Sequence, residues 1–148
     1  MVNGEMFGVT NGVITTLSIL TGLHATNVDK AGIVGTLLAM IIADPLSDAY
    51  SIYISEKQNN PSKAYMIGLK AFGSQFILQF LFLVIILLFS KIKSGIKYSY
   101  IFGFAIVIIY GIINKISLNE LLFNIVAILC LVFITYVSDL LVYKYYKE

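Results

Sequence analysis

Ile42-Ala43-Asp44-Pro45-Leu46-Ser47-Asp48-Ala49-Tyr50-Ser51 sets two carboxylates inside a run of otherwise apolar residues. If that run crosses a bilayer, each ionised and unpaired Asp costs about 2.5–3.5 kcal/mol on an insertion scale. Partners or a bound cation have to offset that cost. On a helix, with about 100° between residues, Asp44, Ser47, Asp48, Ser51 and Ser55 fall on one stripe, with Met40 a turn earlier. Oxygen ligands and one thioether then share a face. Pro45 lacks an N–H and crowds the carbonyl four residues back, so it is expected to kink the helix and free the carbonyl of Ile41 as a further ligand. A polar seam, closed by Ser, Thr, Asn and Gln of neighbouring helices, is the plainer reading of the same residues. Two Asp at i, i+4 deep in one span favour an ion or proton site, since intramembrane ionisable residues are functional candidates by default.

The rest of the chain supports a membrane setting. Of its 148 residues 59% are hydrophobic and 12% charged, with no long polar segment, and the mean hydropathy is +0.90. That composition reads as an integral membrane protein in one domain, 1–148. A net charge of +2 and the absence of arginine give no reason to expect a nucleic-acid partner. Cys130 is the one cysteine and lies in an apolar run, so within one chain there is no disulfide framework or thiolate metal cluster. His24 is the one histidine, which excludes a bis-histidine haem within a subunit. The first apolar run follows Glu5, without a basic leader or a small-residue cleavage site, and is read as retained.

Five apolar runs are expected to span the bilayer: Phe7–Leu23, Gly32–Ser55, Ala64–Phe89, Tyr98–Ile113 and Leu118–Tyr143. Each is near the roughly 17–25 residues that a membrane helix needs. The connections 24–31, 56–63, 90–97 and 114–117 are too short for a soluble domain. In the first span Gly4, Gly8 and Gly12 repeat at i, i+4, which suits close packing against the second span or a second copy of the chain. Asn11 and Thr15, one turn apart, either face Asp44 and Asp48 and complete a ligand set or merely satisfy each other and backbone carbonyls. Gln75 and Gln79 in the third span read as structural glue that can reach the second span, and Lys70 as a side chain snorkelling to the interface. The fourth span is uncharged scaffold. Thr135, Ser138 and Asp139 form a weaker polar patch, with Asp139 within reach of Lys144. Tyrosines near span ends, such as Tyr53, Tyr98, Tyr100, Tyr143, Tyr145 and Tyr146, fit interfacial anchoring.

Two motifs carry a family resemblance. Phe7-Gly8-Val9-Thr10-Asn11-Gly12-Val13-Ile14-Thr15-Thr16, then Ala43-Asp44-Pro45-Leu46-Ser47-Asp48-Ala49 and Tyr53-Ile54-Ser55-Glu56-Lys57, resemble the vacuolar iron transporter family. That family shows D-G-x-x-T in its first span and A-[DG]-x-[LI]-S-M in its second, closed by a Tyr and a Ser/Lys/Glu cluster. Gly12, Thr15, Asp44, Ser47 and Tyr53 match. Asn11 stands where the family has Asp, and Asp48 where it has Met, so a carboxylate absent from the first helix reappears on the second. Met40 is then the one nearby thioether. The family's best-known members carry a Glu-rich cytoplasmic metal-binding domain between spans two and three; here 56–63 is only a turn.

The resemblance implies a vacuolar-iron-transporter-like homodimer of five-span subunits, an all-helical, multi-pass protein of the cell membrane. Fe²⁺ or Mn²⁺ would pass along the first two spans in exchange for protons, with no permanently bound cofactor. Its metal residues would be Asp44, Asp48, Asn11, Thr15, Met40 and Ser47, an oxygen-rich set suited to Mn²⁺, Fe²⁺ or even Mg²⁺ and Ca²⁺. Two close carboxylates suit such an exchange, because like-charge repulsion favours a shared proton and a bound cation displaces it. The family places the N-terminus in the cytoplasm, whereas Lys30, Lys91, Lys93, Lys97, Lys144 and Lys147 outnumber Lys57, Lys63 and Lys115 and point to a cytoplasmic C-terminus. The motif is given precedence. A non-transporting membrane module with a structural or regulatory role, and a transporter of another solute, are the alternatives. An enzyme is not expected, since no Ser/His/Asp, Cys/His or metal-protease spacing occurs.

Overall fold

The computed structural model describes residues 3–146, with the side chains at 135, 139 and 142–146 outside the description. The expected patch of Thr135 and Asp139, and its pairing with Lys144, therefore lies outside the described side chains. The chain forms five helices: α1 (Gly4–Ala25), α2 (Lys30–Asn59), α3 (Pro61–Leu88), α4 (Ile92–Ile113) and α5 (Leu118–Tyr146). All five are long and apolar enough to cross a membrane. No strand occurs among the described residues.

The helix ends follow local chemistry. The Asn3 side chain accepts the N–H of Met6, and Asp29 accepts the N–H of Gly32, capping α1 and α2. Ser117 and Glu120 form a reciprocal capping box at α5, each side chain accepting the other's backbone N–H. Asn27 and Lys115 take positive φ just past α1 and α4, where a left-handed residue closes a helix C-terminus. Pro61 opens α3 at a position that needs no N–H donor, so one residue, Asn60, separates α2 from α3. Both helices outrun their expected spans here, and α4 starts at Ile92 rather than Tyr98. Lysines near a helix end interrupt apolar character without interrupting backbone hydrogen bonds. The helix α2 runs through Pro45, which is buried within it.

The central helix is α3, which packs extensively on both α1 and α2 and also touches α4. By contrast α1 and α2 touch each other little, while α4 and α5 lean on the other side of α1. The glycine repeat explains the central contact. A Cβ on Gly4 would run into the backbone of Ile67, one on Gly8 into Ser74 and the carbonyl of Ala71, and one on Gly12 into Leu78. The repeat thus seats α1 on α3, which corrects its expected use against the second span or a second copy.

Large apolar side chains cover the outside of the bundle as well as filling its core. Gln75 and Gln79 are wholly buried, while Leu88 is 74% exposed and Phe123 73% exposed. Hydrocarbon around the bundle accepts such apolar side chains, whereas polar ones turn inward to find partners. Inside, Leu20, Ile33, Leu37, Met40, Leu83 and Ile86 form one apolar cluster and Val13, Leu17, Leu78, Phe82 and Val107 a second.

Candidate functional site

Asp44 lies at the midpoint of the 30-residue α2, with Asp48 one turn on. Their shared face turns toward α1 and α3, and both are partly buried. Because α1 and α2 each pack on α3 but scarcely on each other, the carboxylates line a furrow whose floor is α3.

Six side chains from three helices meet there. Gln75 Nε2 donates to Asp44 Oδ2 and to Asp48 Oδ2, both at 2.8 Å, so one amide bridges the two carboxylates. Gln79 Nε2 donates to Asp44 Oδ2 at 2.7 Å. From α1, Asn11 Nδ2 donates to Asp48 Oδ2. Thr15 Oγ1 lies 3.2 Å from Asp44 Oδ2 and 2.6 Å from the carbonyl of Asn11, one turn back. The i, i+4 spacing of all three pairs makes the match: each pair presents two side chains on one face, about 6 Å apart along its axis.

The electrostatics are one-sided. Every donor to the carboxylates is neutral, and no ion pair reaches either one among the described residues. Lys70, a turn or so before Gln75 on α3, pairs instead with the half-exposed Glu5 at 2.9 Å, near the start of α1. Hydrogen bonds to a charged acceptor contribute about 1.5–3 kcal/mol each, so these donors offset much of the insertion cost. They do not neutralise the charge.

A second feature concerns oxygens. Gln75 Oε1 and Gln79 Oε1 are buried and meet no hydrogen-bond donor. In a protein interior such an atom costs about 1–3 kcal/mol. Both belong to α3, one turn apart, each on an amide whose nitrogen touches a carboxylate.

The structure gathers Asn11, Thr15, Asp44 and Asp48 as expected, and separates two others from them. Ser47 is exposed on a stripe about 60° round α2 from Asp44, and Ser51 and Ser55 are exposed as well. Met40 is 6% exposed in the apolar cluster with Leu20, Leu83 and Ile86. Tyr53, matched in the family motif, instead lines an apolar groove of about 550 Å³ between α2 and α3, with Leu46, Tyr50, Tyr65 and Phe72, and Lys57 Nζ sits 5.5 Å from its ring centre. Glu56, taken as the start of a turn, is a buried residue of α2. Of the two glutamines, read as glue, Gln75 touches both carboxylates and Gln79 touches Asp44. Their i, i+4 spacing in an apolar span was the signal, the same one that marked the aspartates.

Among the described residues no three His, Cys, Asp or Glu side chains gather in one place. A cation held here would thus be bound by two carboxylates and neutral oxygens, without imidazole or thiolate. No protein-family model, curated protein or solved structure matches the chain, so the family resemblance rests on the quoted motifs alone.

Proposed function

We propose that this chain is a secondary transporter of divalent transition-metal cations, Fe²⁺ or Mn²⁺, which it exchanges for protons across the cell membrane. The observation that carries the reading is the carboxylate pair at the middle of α2, bridged by one amide and in no ion pair among the described residues. Two negative charges near the bilayer centre attract a divalent cation, and in its absence protons serve the same end. The reading agrees with the motif resemblance to vacuolar iron transporters, in which the first two spans carry the metal. Under it, Asp44 and Asp48 bind the ion, and Asn11 and Thr15 line its path. Ser47 and Met40 drop out of the ligand set, because they lie outside the furrow.

The same reading calls for a homodimer. Asp44, Asp48, Asn11 and Thr15 are only partly buried, on the side of the bundle where α1 and α2 part. In a lone subunit that opening faces lipid, where polar groups find no partner. A second copy across the furrow would cover it.

One observation favours a different reading, a non-transporting module of the same fold. The carboxylates already accept five hydrogen bonds from neutral donors, which is how a sealed polar seam would be built. Uptake into proteoliposomes separates the two. A transporter accumulates Mn²⁺ and Fe²⁺ when a pH gradient is imposed and loses uptake in Asp44→Asn. Uptake no greater than in empty liposomes under either polarity of gradient would leave only the structural module or another solute.

A further inference from the structure

We infer that Gln75 and Gln79 are cation ligands that turn over on binding, holding the empty carboxylates through Nε2 and the loaded cation through Oε1. The inference rests on the cation reading above and adds to it the missing ligands and the chemical class of ion.

It starts from the two unmet oxygens. Both glutamines are 0% exposed, and each Oε1 is buried without a partner while its Nε2 donates to a carboxylate. A residue chosen only to donate to Asp44 and Asp48 would not need a second polar atom beside them. An amide has two ends of nearly equal size, a donor and an acceptor, and its terminal torsion has a broad, roughly two-fold profile. Half a turn about that torsion exchanges them in place. With the furrow empty, the carboxylate oxygens accept and the N–H end faces them. With a cation between the carboxylates, the N–H end is repelled and the carbonyl end is attracted. Both arrangements use the same backbone.

Oxygen counting then fixes the class of ion. With the amides turned, Asp44, Asp48, Gln75, Gln79, Asn11 and Thr15 each present an oxygen from one of three helices, at levels matched by their i, i+4 spacing. Met40, the only sulfur considered, is held in the apolar cluster. An all-oxygen set of about six ligands suits hard divalent cations, with Mn²⁺ at the boundary and Mg²⁺ and Ca²⁺ inside it. Soft ions that depend on thiolate or thioether find no ligand of their own. The substrate class is thereby drawn toward Mn²⁺ and away from the softer transition metals.

The test is Mn²⁺ titration by calorimetry into the full chain in lipid nanodiscs, with wild type, Gln75→Leu, Gln79→Leu, Gln75→Glu and Gln79→Glu. Leucine removes both ends of the amide, and binding should weaken roughly 10–100-fold, the range for altering a metal site's supporting groups. Glutamate keeps an oxygen and discards the donor, and should bind at least as tightly as wild type. If the glutamines serve only as donors, leucine binds Mn²⁺ as well as wild type or better, because it strips hydrogen bonds from the empty carboxylates and leaves them more attractive to a cation. Leucine variants that bind as well as wild type or better would overturn the proposal. For variants that do not fold, infrared difference spectra of wild type with carbon-13 at the glutamine side-chain carbonyl give the answer directly. The band shifts on Mn²⁺ binding if the oxygen becomes a ligand, and a stationary band refutes it. Failure of the cation reading looks different: wild type itself would bind no Mn²⁺ in the titration, and both ideas would fall together.

Discussion

At the scale of single residues, the two aspartates differ in what they accept, and that difference sets what substitution does. Asp44 Oδ2 takes Gln75, Gln79 and Thr15, and Asp48 Oδ2 takes Gln75 and Asn11. Asparagine keeps one acceptor oxygen at each site and removes a charge from the bilayer interior. Asp44→Asn and Asp48→Asn should therefore hold the thermal unfolding midpoint near wild type while abolishing its upward shift with Mn²⁺. Leucine keeps nothing, and Asp44→Leu leaves buried donors unmet at about 1–3 kcal/mol each; its midpoint should fall clearly, and further than that of Asp48→Leu. Asn11→Asp sets a third carboxylate against Asp48, so the empty protein should melt earlier and the Mn²⁺ shift should grow. An unchanged Mn²⁺ response in Asn11→Asp would remove Asn11 from the site. Most of this cluster was legible in the sequence. Residues at i, i+4 on a helix share a face whatever the helix packs against, so the pairing of Asn11 and Thr15 with Asp44 and Asp48 could be foreseen. That Gln75 and Gln79 could reach the second span was foreseen as well; that they meet the carboxylates there was not, since a lone sequence shows which face is polar but not that α3 lies beneath both other helices. Ser47 was misplaced for a related reason: a stripe about 60° wide can straddle the edge of a contact, and only the partner's position tells which side is covered.

At the scale of elements, glycine shows how one residue type answers to two environments. Gly8 lies where a Cβ would strike the Ala71 carbonyl and Ser74, whereas Gly22, in the same helix, has nothing within 4 Å of a Cβ. Gly8→Val should force α1 off α3 and destabilise by about 1–3 kcal/mol or more. It should also weaken Mn²⁺ binding, because Asn11 and Thr15 are carried on the displaced helix. Gly22→Ala meets open space and should stabilise by roughly 0.5–1 kcal/mol through backbone entropy. Thermal melts of the two variants in the same detergent check the contrast, and shifts of equal sign would mean that α1 is not seated on α3 through Gly8. The repeat at Gly4, Gly8 and Gly12 announced a close helix contact from sequence alone, but small residues admit any neighbour. The choice of α3 depends on which helix brings backbone rather than bulk to that level, and Ile67, Ala71 and Ser74 do so through their spacing on α3. Helix ends were legible where a cap was written into the sequence, as at Asp29 and at Ser117 with Glu120. They were missed at Lys93 and Lys97, where charge was taken for a boundary.

At the scale of the whole molecule, five long apolar helices follow from composition, but which surface a second copy would cover does not. The furrow between α1 and α2 supplies the argument. It holds partly buried carboxylates at the middle of α2, which packs mainly on α3. Left against hydrocarbon, each charge would carry a cost of about 2.5–3.5 kcal/mol less whatever its hydrogen bonds return. A two-fold axis along the furrow would bury both sets of carboxylates at once, and closed two-fold pairs are the commonest assemblies of identical chains. Ser47 and Ser51 are exposed on α2 beside the carboxylates, so they would lie against the second copy. In a Cys130→Ser background, which removes the exposed native thiol, Ser47→Cys should give a cross-linked dimer with a short thiol reagent in liposomes. Leu129→Cys, 51% exposed on α5 at the far side, should not. The yield at Ser47→Cys should hold as the protein is diluted with lipid, since a specific pair survives dilution and random collisions do not. Equal yields at the two positions, or a yield at Ser47→Cys that vanishes on dilution, would place the furrow against lipid and leave its carboxylates to be satisfied by α1 and α3 alone.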